Sequence, residues 1–264
     1  MEEINIKKTV KYIVEWIEDY ANMANINTLV VGVSGGIDSA VVSTLCAMTG
    51  KNVILVEMPI GVEYSMNGLG GRHIVHLQKK FDNVTHRVLD LTDTYMAFKK
   101  TIDDTTNHID YDNYELMLAN TASRCRMMAL YSFSNIHKGL VVGTGNKVED
   151  FGIGFFTVGG DGQVDISPIA DLMKSEVYSI ANYLDLLPDI QKSIPTDGLW
   201  QDSRTDEGQI GASYDELEWA MNYSSESKEN LTDRQKEVLD IYLTRHIKNK
   251  FKMLPIPICK IPND

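Results

Sequence analysis

The sequence Leu29-Val30-Val31-Gly32-Val33-Ser34-Gly35-Gly36-Ile37-Asp38-Ser39 decides the fold of this chain. An apolar, largely β-branched run enters a loop of serine and glycine, and the residues after the loop have the apolar spacing of a helix. A strand, a tight glycine turn and a helix N-terminus in this order bind anions, because glycine lets the backbone approach an oxyanion and the first helical N–H groups favour negative charge. The loop lacks the lysine of the Walker-type sequence and does not follow the Gly-x-Gly-x-x-Gly dinucleotide pattern. We therefore predict phosphate binding at residues 34–39; a plain strand-to-helix connector is the alternative.

Composition excludes several classes of partner. The chain has 264 residues, is 43% apolar and carries a formal net charge of −12, so nucleic acids and anionic membrane surfaces are poor partners. The three cysteines, Cys46, Cys125 and Cys259, are far apart in sequence, which is typical of a reducing cytoplasm. No apolar run approaches the roughly 18 residues of a membrane span, and no signal peptide is recognisable. We expect a cytoplasmic protein without a membrane span.

Strand and helix patterns alternate along the first half of the chain. The predicted strands are 28–33, 52–58, 83–90 and 140–144, and the predicted helices are 4–22, 38–49, 65–80, 93–101 and a long helix that follows a capping box at Asp112 and Glu115 and ends near Lys138. The alternation predicts an α/β fold, a Rossmann-like open parallel sheet with helices on both faces. Ligands bind such sheets beyond the carboxyl ends of the strands, so residues 34–39 and 143–149 should meet at one site.

The second half of the chain is less regular. The segment around 193–211 has neither helical nor strand periodicity, which predicts a mobile loop. A capping box at Ser213 and Glu216 predicts a further helix, and residues 232–248 predict the last one. Prolines predict an extended C-terminal tail at 254–264. No linker divides the 264 residues, so we predict a single domain.

Two carboxylates follow two of the predicted strands. Asp38 and Glu149 would supply hard oxygen ligands to one cation, and Mg²⁺ is typically held by one or two carboxylates together with nucleotide phosphates and waters. The alternative is that Asp38 is there because carboxylates are favourable at a helix N-terminus. That explanation does not account for the polar cluster around Glu149, so we favour a metal site.

Two cationic residues stand where an anion would be needed. Asp171 is a candidate N-cap, which would put Lys174 in the first turn of a helix, where its charge opposes the helix dipole by about 0.3–1 kcal/mol. A bound phosphate would relieve this conflict, whereas a solvated lysine is the alternative. Arg124 shares a helix face with Asn120 on an otherwise apolar segment and needs an anionic partner, either a ligand or an internal aspartate.

Several motifs together resemble those of a known family. They are Ser34–Ser39, Asn120–Arg126, Gly143–Glu149, Gly160–Asp165, Pro195–Trp200 and Thr205–Asp215. The first motif resembles the Ser-Gly-Gly-x-Asp-Ser loop of the ATP-pyrophosphatase superfamily, with its adenine nucleotide α-hydrolase-like fold. The full set resembles the ammonia-dependent NAD synthetases, from about residue 5 to 255. Glutamine-dependent relatives carry an additional amidase domain that this chain is too short to hold, so free ammonia is the expected nitrogen source.

The resemblance implies a ligase reaction in two halves. In the first, the nicotinate carboxylate of deamido-NAD attacks the α-phosphorus of ATP and forms an acyl adenylate and pyrophosphate. In the second, ammonia attacks the acyl carbon and AMP leaves. The resemblance also implies a homodimer with deamido-NAD lying across the interface.

The resemblance assigns roles residue by residue. The implied ATP contacts are Gly32, Val33, Ser34, Gly35, Gly36, Ile37, Asp38, Ser39, Thr144, Lys174 and Thr196. Arg124 and Asp165 correspond to deamido-NAD contacts, and Asp165 would also accept a proton from ammonium. Asp165 and Lys174 are the predicted catalytic residues. Asp38 and Glu149 are the predicted Mg²⁺ ligands.

Two positions depart from the family pattern. Val158 stands where many members have a lysine, and the sequence Asn249-Lys250-Phe251-Lys252 stands where they often have a His-Lys pair. Both departures concern the deamido-NAD half of the site. One alternative is therefore an ATP-pyrophosphatase that adenylates a different small carboxylic acid. Another is a non-catalytic nucleotide sensor on the same fold.

Overall fold

The computed structural model describes residues 4–61, 64–105, 110–196, 198–200, 204–224 and 230–261. Its strands are β1 (Thr28–Gly32), β2 (Asn52–Glu57), β3 (Val84–Val88) and β4 (Leu140–Val142). Its helices in the first half of the chain are α1 (Ile6–Met23), α2 (Ile37–Met48), α3 (Leu69–Lys80), α4 (Thr92–Asp103) and α5 (Tyr111–His137). A π-helix (Val148–Ile153) follows, and then α6 (Lys174–Tyr183), α7 (Pro188–Gln191), α8 (Asp206–Ile210), α9 (Tyr214–Asn222) and α10 (Asp233–Met253).

The four strands form one parallel sheet in the order β3-β2-β1-β4. Val30 at the centre pairs with Ile54 on one side and Val141 on the other. The strand order reverses between β1 and β4, and in open α/β sheets such a switch point forms a ligand crevice beyond the carboxyl ends of the strands. The predicted parallel α/β fold is confirmed.

Helices cover both faces of the sheet because alternate strand residues point to opposite sides. Val31, Leu55 and Val142 belong to the main hydrophobic core, which includes buried residues of α1, α2 and α6. Val30 and Val141 belong to a separate core on the other face, closed by α5. Strands apolar on both faces explain why the sequence shows nearly continuous apolar runs.

A further hydrophobic core lies outside the sheet. The π-helix, α9 and α10 contribute its buried residues, among them Val148, Ile153, Leu217 and Val238. Burial of apolar surface of this kind contributes about 25 cal/mol per Å². The core therefore holds the π-helix, which carries Glu149, firmly against α9 and α10.

Several predicted boundaries differ from the structure. The helix predicted from Asp112 begins at Tyr111, with Asp110 as its N-cap residue, so Asp112 lies inside the first turn. The last helix runs five residues further than predicted, to Met253. The segment predicted as an irregular loop at 193–211 contains the short helix α8, and parts of that segment and of the tail at 254–264 lie outside the described residues. Within the described ranges, no helix combines the length and apolarity needed to cross a membrane.

Candidate active site

The loop between β1 and α2 is held by its own serines. The Ser39 hydroxyl donates to the Gly36 carbonyl at 3.0 Å and accepts from the Ser34 amide at 3.3 Å, while the Gly36 amide donates to the Ser34 hydroxyl at 3.2 Å. Gly35 has a φ of +90°, and a Cβ there would lie 3.0 Å from the Gly70 amide nitrogen. Only glycine satisfies both the backbone angle and the close approach of α3.

Helix α2 opens directly from this loop. Its N-cap residue is Gly36, which offers no side-chain cap, and Asp38 lies in its first turn. The first N–H groups of a helix have no partner within the helix. This end of α2 therefore has the chemistry of an anion site, as the sequence predicts.

A buried lysine joins the two predicted metal ligands. Lys174 Nζ lies 2.6 Å from Asp38 Oδ2 and 3.1 Å from Glu149 Oε1, and the exposed fractions of the three side chains are 3%, 18% and 17%. The three residues come from α6, α2 and the π-helix. Burial alone would lower the pKa of Lys174, but the Glu149 and Asp38 carboxylates outweigh it and raise that pKa above its ordinary value, so the side chain is a permanent cation. Burial raises the pKa of Asp38, against the opposing effect of Lys174.

Lys174 lies in the first turn of its helix as predicted, but Asp171 is not the N-cap. The cap residue is Met173, whose amide donates to Glu176 Oε2 at 2.7 Å. Asp171 instead forms an exposed ion pair with Lys147, with 2.8 Å between Asp171 Oδ1 and Lys147 Nζ. The two carboxylates bound to Lys174 offset the unfavourable helix dipole, a role that the sequence alone assigned to a phosphate.

Asn146 links the two loops that were expected to converge. This side chain is fully buried, and its Nδ2 donates to Asp38 Oδ1 at 3.2 Å. Its Oδ1 accepts from the amides of Val148 and Glu149, both at 3.1 Å, at the start of the π-helix. Asn146 belongs to the motif Gly143–Glu149, and the preference of asparagine for helix starts is the signal that could have indicated its role.

Tyr214 completes the surroundings of Glu149. Its hydroxyl donates to Glu149 Oε1 at 2.6 Å, and Lys174 Nζ lies 4.6 Å from the centre of its ring. The predicted capping box is confirmed, with Ser213 and Glu216 side chains each accepting from the other's backbone amide. Because Ser213 is the N-cap residue, Tyr214 is the first residue of α9. The capping-box pattern is therefore the sequence signal that indicates where Tyr214 lies.

Asp150 adds a further carboxylate that was not predicted. Burial, followed by the carboxylates of Glu149, Asp161 and Asp38, raises the pKa of Asp150 to about 8. A Cβ at Gly145 would lie 2.3 Å from both Asp150 carboxylate oxygens, so Gly145 is required for this packing.

Arg124 lies in a second group of contacts, between α5 and the loop that follows the π-helix. Its Nε donates to the Val158 carbonyl at 3.2 Å, and Asn120 on the same face accepts from the Thr157 hydroxyl at 2.7 Å. The Arg124 side chain is exposed. The ion pairs among the described residues include none between Arg124 and an aspartate.

Asp165 is held beside β4. Its Oδ2 accepts from the Val141 amide at 2.7 Å and its Oδ1 accepts from the Tyr131 hydroxyl at 3.1 Å. Burial and the Asp165 carboxylate raise the pKa of Tyr131 to about 12, so its hydroxyl remains a donor at neutral pH. These contacts place Asp165 with α5 and not in direct contact with Lys174.

The two predicted threonines differ in location. Thr144 is half-buried two residues beyond β4, at the switch point of the sheet. Thr196 is exposed, and its hydroxyl donates to the Arg204 carbonyl at 3.0 Å. The amide of Asp206 donates to the Pro195 carbonyl at 3.1 Å and joins the two ends of the same segment. No contact recorded for the described residues brings Thr196 to Lys174.

The departures from the family pattern lie near Arg124. The Val158 side chain is half exposed. Lys252 donates to the Phe156 carbonyl at 2.6 Å and lies 4.6 Å from the centre of the Phe156 ring. Lys250 is exposed. Lys252 therefore reaches the 156–158 loop of its own chain.

The donor set around Lys174 fits a cation that is bound jointly with a nucleotide. Asp38 and Glu149 supply two carboxylates, and no group of three or more His, Cys, Asp or Glu able to hold a metal occurs in the described part of the chain. Mg²⁺ commonly has only one or two carboxylate ligands and takes the others from phosphates and water. The two carboxylates are adequate for that role and insufficient for a metal site built from protein ligands alone.

Comparison with known proteins agrees with the predicted family. A family model described as NAD synthase matches residues 9–254. The NH(3)-dependent NAD(+) synthetase of Mesoplasma florum is 36% identical over 218 residues, which make up 81% of this chain and 84% of that relative. The solved structure of NMN synthetase from Francisella tularensis has a TM-score of 0.79 and 26% identity, covering 99% of this chain and 100% of that one. The NH3-dependent NAD synthetase of Campylobacter jejuni has a TM-score of 0.74 and 25% identity, covering 97% and 100%. The resemblance found in the sequence motifs is thus confirmed, and this chain belongs to the NAD synthase family.

Proposed function

We propose that this protein is a C–N bond-forming ligase that amidates deamido-NAD to NAD with ammonia and ATP, releasing AMP and pyrophosphate. One observation carries the proposal: the Lys174 ammonium, bound by Asp38 and Glu149, lies next to the N-terminus of α2. A protein that only senses nucleotide does not need a buried cation and two carboxylates at its phosphate site. An enzyme that stabilises departing pyrophosphate does.

The first half-reaction uses the switch point between β1 and β4. The loop 34–39 and the first amides of α2 would hold the β- and γ-phosphates as they leave. Lys174 would add a fixed positive charge, since its pKa is raised. Asp38 and Glu149 would hold Mg²⁺, which supplies charge neutralisation to the phosphates when bound. Thr144, beyond β4, would contact the same nucleotide.

The second half-reaction would take place nearer α5. Ammonia, like the amine of a lysine side chain, is mostly protonated at neutral pH, and the resulting ammonium ion has no lone pair for attack. The exposed Asp165 carboxylate, held by the Val141 amide and the Tyr131 hydroxyl, would accept that proton. Arg124, which lies on α5 like Tyr131, would contact deamido-NAD. The segment 193–211, with Thr196, would cover the adenylate and exclude water.

The proposed assembly is a homodimer in the cytoplasm. Buried, unpaired Cys46 and Cys125 are compatible with a reducing compartment. The family resemblance supports a dimer with deamido-NAD at the interface. Light scattering on the purified protein, with and without deamido-NAD, measures the oligomeric state directly.

The test of the proposed reaction is product stoichiometry. Protein supplied with Mg-ATP, deamido-NAD and ammonium should form AMP and NAD in equal amounts, and formation of ADP would contradict an adenylate mechanism. Asp38→Asn should lower kcat at least about 100-fold. The matched control is Asp171→Asn, because Asp171 is an almost fully exposed aspartate in a surface ion pair. Equal activity of the two variants would remove Asp38 from the site.

A second candidate substrate is the mononucleotide counterpart, so that the product would be NMN. Val158, in place of the lysine that many family members have, favours a change in this half of the site, and the Francisella tularensis structure is that of an NMN synthetase. The nicotinate carboxylate and the ATP chemistry are the same in both reactions. Measuring kcat/KM for deamido-NAD and for nicotinate mononucleotide in one assay separates the two candidates.

A further inference from the structure

Tyr214 contacts Glu149 and Lys174 of the proposed phosphate site, and its own side chain is nearly inaccessible to solvent. The residue is 5% exposed. Its hydroxyl lies 2.6 Å from Glu149 Oε1 and 3.2 Å from Asp206 Oδ2, and its ring lies under the Lys174 ammonium. The hydroxyl carries a single proton, and the shorter distance assigns that proton to Glu149.

We propose that Tyr214 is a positioning residue that fixes the Glu149 carboxylate and the Lys174 ammonium for the proposed reaction, on which this inference rests. Glu149 Oε1 accepts from two donors, the Tyr214 hydroxyl and the Lys174 ammonium. Two donors on one oxygen set the orientation of the carboxylate. Without the hydroxyl, Lys174 would be the remaining donor to that oxygen among the described residues.

The start of α9 is built to keep Tyr214 in place. Its capping box, closed by Ser213 and Glu216, fixes the first turn, and Arg234 pairs with Glu216 at 2.7 Å. One turn further along α9, Glu218 accepts from the Ser175 amide at 2.8 Å and from the Ser175 hydroxyl at 2.7 Å. The same helix end thus holds Glu149 through Tyr214, and it holds the residue next to Lys174 through Glu218.

A purely structural role for Tyr214 makes a different prediction. If the ring only fills space, Tyr214→Phe should behave as wild type, because phenylalanine keeps the ring, its burial and its contact with Lys174. If the hydroxyl positions Glu149, the same variant should fold normally and turn over slowly. The removal of a single oxygen atom therefore separates the two roles.

The experiment compares wild type, Tyr214→Phe and the control Tyr242→Phe. Tyr242 packs against the same hydrophobic core and lies beside His246, at a ring distance of 5.6 Å, so it undergoes the same chemical change away from Glu149. We expect Tyr214→Phe to lower kcat about 10- to 100-fold, as for the loss of a hydrogen bond to a charged group. The KM for deamido-NAD should stay within about twofold, and both variants should remain folded at the assay temperature by circular dichroism. Wild-type kcat in Tyr214→Phe would overturn the proposal.

A binding measurement keeps the test independent of turnover. Electron paramagnetic resonance of Mn²⁺ with ATP should show weaker Mn²⁺ affinity in Tyr214→Phe than in wild type or Tyr242→Phe. In a Glu149→Gln background the Tyr214 substitution should change this affinity less than about twofold, because the hydroxyl acts through Glu149. Equal effects in both backgrounds would overturn the proposal. A wild-type protein that forms no NAD would instead refute the proposed reaction, and the Mn²⁺ affinities would still decide the role of Tyr214.

Discussion

Replacing Lys174 by methionine tests whether the buried cation holds the site together. Methionine has nearly the same length and is apolar, so the substitution removes the charge and keeps most of the packing. The change leaves Asp38 and Glu149 facing each other without the ammonium that bridges them at 2.6 and 3.1 Å. Removing one partner of a buried ion pair typically costs about 3–5 kcal/mol, because the remaining charge stays desolvated. We expect the free energy of unfolding to fall by about this amount at pH 8.

The matched control is Lys147→Met. Lys147 pairs with Asp171 at 2.8 Å, a distance similar to that in the buried pair, but the exposed fractions of these side chains are 37% and 97%. Surface ion pairs of this kind contribute up to about 1 kcal/mol. The difference between the two variants therefore measures burial rather than the loss of a lysine as such.

The pH dependence of the Lys174→Met variant follows from Asp38. Burial raises the pKa of Asp38, and Lys174 opposes that rise in the wild type. A carboxyl group whose pKa is raised on folding costs stability above that pKa, and the cost disappears as the pH falls through it. The variant lacks the opposing cation, so its deficit relative to wild type should shrink between about pH 8 and pH 5. Urea unfolding of the wild type and both variants at these two pH values, followed by circular dichroism, measures the effect. A deficit no larger than that of Lys147→Met, or one that grows as the pH falls, would refute the reasoning.

Three further predictions concern other parts of the structure. Gly145→Ala should lower the free energy of unfolding by about 1–3 kcal/mol, because its Cβ would lie 2.3 Å from the Asp150 oxygens, and adding Asp150→Ala should restore most of it in chemical denaturation. Burial lowers the pKa of His73 to about 4, so as the pH falls the unfolded chain binds a proton at a higher pH than the folded protein does. The free energy of unfolding should therefore fall by about 3 kcal/mol between pH 6.5 and 4, and His73→Gln should lose this part of the acid sensitivity. Ser213→Ala and Thr232→Ala each remove a side-chain N-cap worth about 1 kcal/mol, but only the Ser213 variant should also lower kcat. Unfolding midpoints and initial rates of NAD formation compare the two.

The sheet and its phosphate loop could be predicted because their signals are local. Strand β1, the turn at Gly35 and the first turn of α2 are adjacent in sequence, and each has a distinctive residue pattern. The meeting of this loop with Glu149 followed from parallel topology alone, since the carboxyl ends of neighbouring strands share one edge. The structure places Asn146 between the two loops, which bears out the expected convergence.

The contacts around Lys174 could not be predicted because they join segments distant in sequence. The sequence indicated a cation in conflict with a helix dipole, but the carboxylates that resolve the conflict come from α2 and the π-helix. Asp171 was a reasonable N-cap candidate, yet the helix begins after Met173 and Glu218 of α9 binds the Ser175 amide in its first turn. Helix α8 has five residues, too few for a periodic pattern.

The order in which the chain leaves the ribosome has a consequence for the site. All four strands are complete by Val142, so a nascent polypeptide can form its sheet well before synthesis ends. Asp38 lies in α2, directly after the first of these strands, whereas Tyr214 and Glu218 emerge much later. Until they arrive, the Glu149 carboxylate lacks the Tyr214 hydroxyl, and Ser175 lacks the Glu218 carboxylate. A translation product ending before α9 would therefore lack the contacts of Tyr214 and Glu218 that complete the surroundings of Glu149 and Lys174.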